Sequence, residues 1–168
     1  MYKWLIALLG VTLSMPVAMA ENIYVPPAFS VDRMYFGGGF SYNTLSRSGL
    51  DYDSTTGYQL MMGYDLGMRI DKLRVLVEAG YDNAGDYEDK VAGIDESVRG
   101  PWVSGGIAYE AVPKLDLYAH VGVDSGDENG ARFGGGVGYW VTRYFGVRGG
   151  LVVHGDIDAL QVNFLYQP

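Results

Sequence analysis

Residues 58–70 read YQLMMGYDLGMRI, and every second side chain in this stretch is apolar, from Tyr58 to Ile70. The side chains in between are mostly polar or glycine, as at Gln59 and Asp65. Successive side chains of a β-strand point to opposite faces, so a period of two indicates one strand with two chemically different faces.

The same alternation recurs in seven further stretches, so the sequence predicts eight strands. The additional apolar sets start at Met34, Leu73, Val103, Leu115, Phe133, Phe145 and Leu160 and continue at every second residue. None of their positions carries a charged side chain. The alternate face is rich in glycine, which suits the narrow interior of an eight-stranded barrel. We therefore predict an all-β fold, an eight-stranded antiparallel up-and-down transmembrane β-barrel.

The links between the predicted strands alternate in length. Short links are expected at residues 71–72, 112–114 and 142–143, and longer polar links at residues 44–55, 83–97, 125–130 and 154–158. Membrane barrels have short turns on the periplasmic side and longer loops outside. The alternation therefore predicts that both termini are periplasmic.

A soluble lipocalin-like barrel also alternates apolar and polar residues, but it turns its polar face outward. Here the polar face is too rich in glycine to cover a soluble surface. Aromatic residues lie at both ends of the apolar sets, Tyr42, Tyr58 and Tyr81 beside the long links and Phe36, Tyr109, Tyr139, Phe145 and Tyr166 toward the short ones. Two aromatic girdles are typical of a bilayer-spanning barrel.

The ends and the composition limit the class of protein. Residues 1–20 have the pattern of a secretory signal peptide, with Lys3, a short apolar run and a small-residue cleavage site, so residues 21–168 are expected to form one barrel domain. The chain has no cysteine, and its 20 Asp and Glu exceed its 12 Lys and Arg. Cysteine chemistry is excluded, and an excess of negative charge disfavours nucleic acid as a partner.

Over residues 21–168 the chain resembles the OmpA-type family of small outer-membrane barrels. The stretches that carry this likeness are residues 35–40, 77–82, 138–148 and 157–166. The resemblance implies residence in the outer membrane of a Gram-negative cell and insertion by the barrel assembly machinery. The peptidoglycan-binding domain of many members has no counterpart here, so tethering to the cell wall is not implied.

Glu78 and Arg148 are the candidates for a luminal gate. Both belong to the inward sets, on the third and seventh strands, which lie diametrically opposite in an eight-stranded barrel, so we expect them to meet near mid-lumen. An equivalent pair forms a gate in the family that the chain resembles, although such a pair can also merely fill space. Five further polar side chains are expected inside the barrel, namely Asp65, Arg74, Asp116, His120 and Arg132.

The two histidines of the chain, His120 and His154, are candidates for a chemical role. Around His154 the chain resembles the outer-membrane lipid A deacylases, in which a histidine is followed two residues later by a nucleophilic serine. Here that position holds Asp156. Without a hydroxyl the acyl-enzyme reaction has no nucleophile, so we expect no enzymatic activity. His120 is expected beside Asp116 and Asp124, either as a hydrogen-bonded interior residue or as a proton-sensitive one.

The long link at residues 83–97 is acidic. It carries Asp86, Glu88, Asp89, Asp95 and Glu96 against Lys90. Carboxylate oxygens are ligands for Ca²⁺ and Mg²⁺, but the spacing matches no known calcium loop. A solvated loop beside lipopolysaccharide is the simpler interpretation, and we expect no metal site and no cofactor.

Three functions are compatible with the sequence. The leading one is a non-enzymatic barrel, expected to be monomeric, that stabilises the membrane or interacts at the surface, with outer-membrane lipid and lipopolysaccharide as its neighbours. The second is a narrow gated channel or a small-ligand-binding barrel. A general diffusion porin is not among the candidates, because the lumen of an eight-stranded barrel is too narrow for one. The third is adhesion, for which the expected loops are short.

Overall fold

A computed structural model describes residues 29–45, 54–88, 95–127 and 129–168. The predicted signal peptide lies outside these described residues. The strands are β1 (Met34–Leu45), β2 (Thr55–Ile70), β3 (Leu73–Glu88), β4 (Asp95–Val112), β5 (Leu115–Asp124), β6 (Gly130–Trp140), β7 (Phe145–His154) and β8 (Ile157–Tyr166), preceded by a short 3₁₀ turn at Val31–Arg33. Within the described ranges, no helix is long and apolar enough to cross a membrane.

The eight strands form a closed barrel. Each strand pairs with the next in antiparallel fashion, and β1 pairs back with β8, where Phe36 lies opposite Tyr166. The predicted up-and-down topology is confirmed. We call the end with the short turns and the C-terminus the turn end, and the opposite end the loop end.

Burial is inverted relative to a soluble protein. The apolar sets face outward, where Phe40 and Leu151 are 65% and 63% exposed, whereas Gln59, Arg132 and Asn163 inside the barrel are at most 3% exposed. The two aromatic girdles also point outward. A soluble barrel would expose its polar face to water, so the lipocalin-like alternative is excluded.

Glycines on the inner wall lie directly opposite large rings. Gly63 on β2 pairs with Tyr35 on β1, and Gly80 on β3 pairs with Trp102 on β4. A Cβ atom added to Gly63 would overlap the Tyr35 ring, and one added to Gly80 would lie 2.7 Å from the Trp102 ring. The interior therefore packs by placing each of these rings in the space that a neighbouring glycine leaves open.

Gly63→Ala is expected to destabilise the barrel by about 1 to 3 kcal/mol, the usual cost of overpacking a filled interior. Tyr35 cannot move away easily, because its hydroxyl donates a hydrogen bond to Glu78. Gly105→Ala is the matched control, since a Cβ there meets nothing within 4 Å. Urea unfolding in lipid measures both, and equal free energies of unfolding for the two variants would contradict this packing.

The long link predicted at residues 83–97 is wrong over much of its length. β3 continues to Glu88 and β4 already begins at Asp95, so only residues 89–94 between them lie outside the described part of the chain. A register shift between Asn83 and Gly85 bends the extended hairpin, and Gly85 has φ 95°, which favours glycine.

The extended hairpin packs over the loop end of the barrel. Its side chains Ala84, Tyr87 and Val98 join Leu45 and Ile157 in a buried apolar cluster, which we call the loop-end lid. Tyr87 is 1% exposed and Ile157 is 0% exposed. The Asn43 side chain donates to the Ala84 carbonyl at 2.7 Å and anchors the hairpin to β1. Apolar side chains therefore fill part of the lumen at this end.

The link predicted at residues 154–158 is also shorter than expected. β7 ends at His154 and β8 begins at Ile157, so a tight turn of Gly155 and Asp156 joins them. Gly155 has φ 54°, a conformation that glycine adopts without strain. Packing of Ile157 into the loop-end lid requires β8 to begin this early.

Candidate luminal gate

Glu78 and Arg148 meet in the middle of the lumen. Arg148 Nη1 donates to Glu78 Oε1, and the Tyr35 hydroxyl donates to the same oxygen. The Arg148 guanidinium also lies 4.4 Å from the centre of the Tyr118 ring. These four side chains come from β1, β3, β5 and β7, so alternate strands supply one layer across the barrel.

The charges of this central layer compensate each other. Glu78 is 4% exposed, and its carboxylate receives both a cationic and a neutral donor. Arg148 has a ring on either side, since the Tyr35 centroid is 5.6 Å away. A buried ion pair of this kind is costly to break from one side, and it occupies the path along the barrel axis. Whether it opens as a gate stays a prediction.

Arg132 organises a second layer toward the loop end. Its guanidinium contacts Asp82 and lies 3.0 Å from Asp124 Oδ1, with its flat face 4.4 Å from the centre of the Trp102 ring. The Trp102 indole in turn donates to Asp82 at 3.0 Å. His154 lies next to this layer, with Nδ1 3.7 Å from Asp124 Oδ2. This cluster places the buried Arg132 guanidinium between two carboxylates.

Arg74 and Asp116 form a third layer toward the turn end. Their side chains are in contact, and the Trp140 indole donates to the same Asp116 oxygen at 3.0 Å. Asp65 lies beside them, 3.7 Å from Arg74 and 3.1 Å from Arg69. Charges of opposite sign therefore compensate one another in this layer as well.

His120 lies inside the barrel on the same face of β5 as Asp116 and Asp124, as expected, but these two carboxylates bind other side chains. Asp116 binds Arg74 and Asp124 binds Arg132, whereas the His120 ring stacks on Tyr118 at 6.2 Å. A Cβ atom on Gly134, opposite on β6, would overlap the imidazole. His120 thus fills the space beside a glycine, as the other large luminal rings do.

The aromatic side chains that complete these three layers were not predicted from the sequence as luminal residues. Tyr35, Tyr118, Trp102 and Trp140 all point inward, where only charged side chains were counted as partners. Their positions in the period of two were sufficient to place them, because each alternates with an outward apolar residue. The missed signal was therefore an aromatic side chain on the otherwise polar and glycine-rich face.

Metal ligands do not cluster in the part of the chain that is described, where no group of three or more His, Asp or Glu side chains is placed to hold an ion. The side chain of Asn83, at the start of the acidic stretch, accepts a hydrogen bond from the Gly85 amide at 2.9 Å. Asp89 and Lys90 lie outside the described residues.

Comparison with known proteins identifies the fold. No known family profile and no curated protein sequence matches the chain. Its structure is similar to a de novo designed transmembrane β-barrel, with 16% identity and a TM-score of 0.56 over 80% of this chain and 94% of that one.

Two structures of Ail, the attachment invasion locus protein of Yersinia pestis, are also similar. One is in complex with the heparin analogue sucrose octasulfate, with 14% identity and a TM-score of 0.53 over 79% of this chain and 94% of that one. The other shows this outer membrane protein in a phospholipid nanodisc, with 14% identity and a TM-score of 0.55 over 79% and 97%. At these identities the likeness establishes the fold alone, that of a small transmembrane β-barrel.

Proposed function

We propose that this chain is a non-enzymatic integral protein of the Gram-negative outer membrane, of the OmpA type, with a structural or surface-interaction role. The observation that carries the proposal is the inverted burial of the barrel. An outer wall without charge between two aromatic girdles is suited to lipid, and a filled interior is suited to rigidity.

The proposal includes an orientation and a set of partners. The turn end and both termini lie in the periplasm, and the loop end faces outward beside lipopolysaccharide. The barrel assembly machinery inserts the chain. The barrel functions as a monomer, because a closed sheet offers no free edge for pairing.

The negative charge of the loop end disfavours the binding of polyanions. It carries carboxylates on several elements, among them Asp86, Asp127, Asp156 and Asp158. Ail has been described with a heparin analogue, but this acidic loop end would repel such a ligand and nucleic acid alike. Surface interaction, in this proposal, is directed at lipid or at uncharged or cationic partners.

The membrane assignment has a direct test. The segment from residue 21 to the end is expected to refold only in detergent or lipid, and an unheated sample should migrate differently from a boiled one in a denaturing gel, because membrane barrels resist unfolding without heat. A chain that is monodisperse in water without detergent would exclude a membrane location.

A narrow gated channel is the second candidate function. The observation in its favour is the position of the Glu78–Arg148 pair across the barrel axis, where a change of partner would open a path. The loop-end lid is a second closure on the same axis. A channel of this kind would conduct only when both closures are open.

A further inference from the structure

The barrel opens at the turn end into a cavity of about 430 Å³, which we call the turn-end vestibule. Its walls carry four cationic side chains and two carboxylates. They are Arg69, Arg74, Lys114 and Arg143, and Glu110 and Asp116. Cations therefore outnumber carboxylates here, although the whole chain has a formal net charge of −8.

Charged side chains continue inward from the vestibule. A smaller cavity of about 30 Å³ shares Arg74 and Asp116 with the vestibule and lies deeper in the lumen. It adds Arg33 and Arg148 to the lining but only one further carboxylate, Asp65. Because Arg148 is paired with Glu78, the excess of positive charge lies in the vestibule, where it attracts anions.

Two of the vestibule cations are not engaged by a carboxylate. Arg74 binds Asp116 and Arg69 binds Asp65, but neither Lys114 nor Arg143 forms an ion pair with any residue of the described ranges. Lys114 Nζ is 3.4 Å from the Val141 carbonyl, and the Arg143 guanidinium lies on the Tyr144 ring at 4.3 Å. Both therefore keep donors available for a ligand.

We propose that the turn-end vestibule binds a phosphate-class anion, held at its rim by Lys114 and Arg143. Arginine presents two parallel N–H groups that match two phosphate oxygens, and lysine adds a compact positive charge. The phosphoryl group comes either from the headgroup of a phospholipid in the adjoining leaflet or from a soluble phosphate compound.

The site is tested by titrating inorganic pyrophosphate into the barrel refolded in zwitterionic detergent, with calorimetry as the readout. Saturable binding is expected for the wild type. The double variant Lys114→Gln/Arg143→Gln should bind about tenfold or more weakly, because it loses charge-assisted hydrogen bonds. Arg99→Gln, which removes an exposed cation at the loop end, is the matched control and should bind like the wild type.

A second measurement separates the two sources. The amide resonances of residues 114 and 143 are followed in phosphatidylcholine nanodiscs with and without phosphatidylglycerol. Shifts caused by phosphatidylglycerol alone assign the site to a lipid headgroup, and shifts caused only by pyrophosphate assign it to a soluble anion. Absence of saturable binding, binding by the double variant as tight as by the wild type, or an equal loss in Arg99→Gln would each overturn the proposal. A heat-dependent gel shift verifies that every variant is folded.

Discussion

Glu78→Ala is expected to destabilise the refolded barrel by about 3 to 5 kcal/mol, because it leaves the charge of Arg148 buried without its partner. The Tyr35 hydroxyl loses its acceptor in the same substitution. Urea unfolding in lipid vesicles measures the free energy of unfolding. A free energy equal to that of the wild type would show that the two residues do not interact.

Asp127→Ala is the matched control for removing one partner of an ion pair. Asp127 lies 4.0 Å from Arg99, with both side chains more than half exposed, so its removal should cost about 1 kcal/mol or less. The two variants differ in burial, not in the kind of group removed. A similar cost for both would attribute the effect of Glu78→Ala to something other than the buried charge of Arg148.

Single-channel conductance of the same Glu78→Ala variant distinguishes a gate from a filler. If the pair is a gate, conductance rises, and it rises further when Tyr87→Ala also opens the loop-end lid. If Glu78 and Arg148 only fill space, the folded single and double variants conduct like the wild type. The second result would leave the structural role as the only proposed function of the pair.

Val77→Arg is expected to destabilise the barrel by about 2 to 4 kcal/mol, the cost of a cation near the bilayer midplane. Val77 points outward on β3 and lies between the two aromatic girdles. Refolding titrations in lipid vesicles are suited to measure this difference.

Val112→Arg applies the same chemical change at the edge of the membrane. Val112 is also exposed, but it is the last residue of β4 at the turn end, where a cation should cost about 0 to 1 kcal/mol. Equal costs at Val77 and Val112 would show that the outer wall does not lie in the hydrocarbon core.

The barrel could be predicted from the sequence because the alternation of apolar and polar residues that specifies it is local and periodic. The alternation around Tyr58 and Leu60 identifies the outer face of β2 directly, since side-chain direction in a strand depends only on the parity of the position. The contact between Glu78 and Arg148 follows from the same parity, together with the strand order and the distance of each residue from its turn.

The loop end could not be predicted in the same way. The course of β3 beyond Asn83 is determined by Tyr87 packing against Leu45 and Ile157, which are distant in sequence. The many carboxylates in this stretch predict exposure to solvent, so the sequence gives no sign of that contact. The partners of Arg132 and Arg148 were incomplete for another reason. Only charged side chains were expected as their partners, although Tyr35, Trp102 and Tyr118 occupy inward positions of the same period of two.

The pairing of rings with glycines constrains how this sequence can diverge. Tyr35 and Gly63 share one volume, so a larger side chain at position 63 becomes acceptable only after position 35 has become smaller. Shortening Tyr35 first removes a donor from Glu78, so the intermediate is penalised in either order. Homologues that keep this fold are therefore expected to change the two positions together, and the pair should be inherited as a unit.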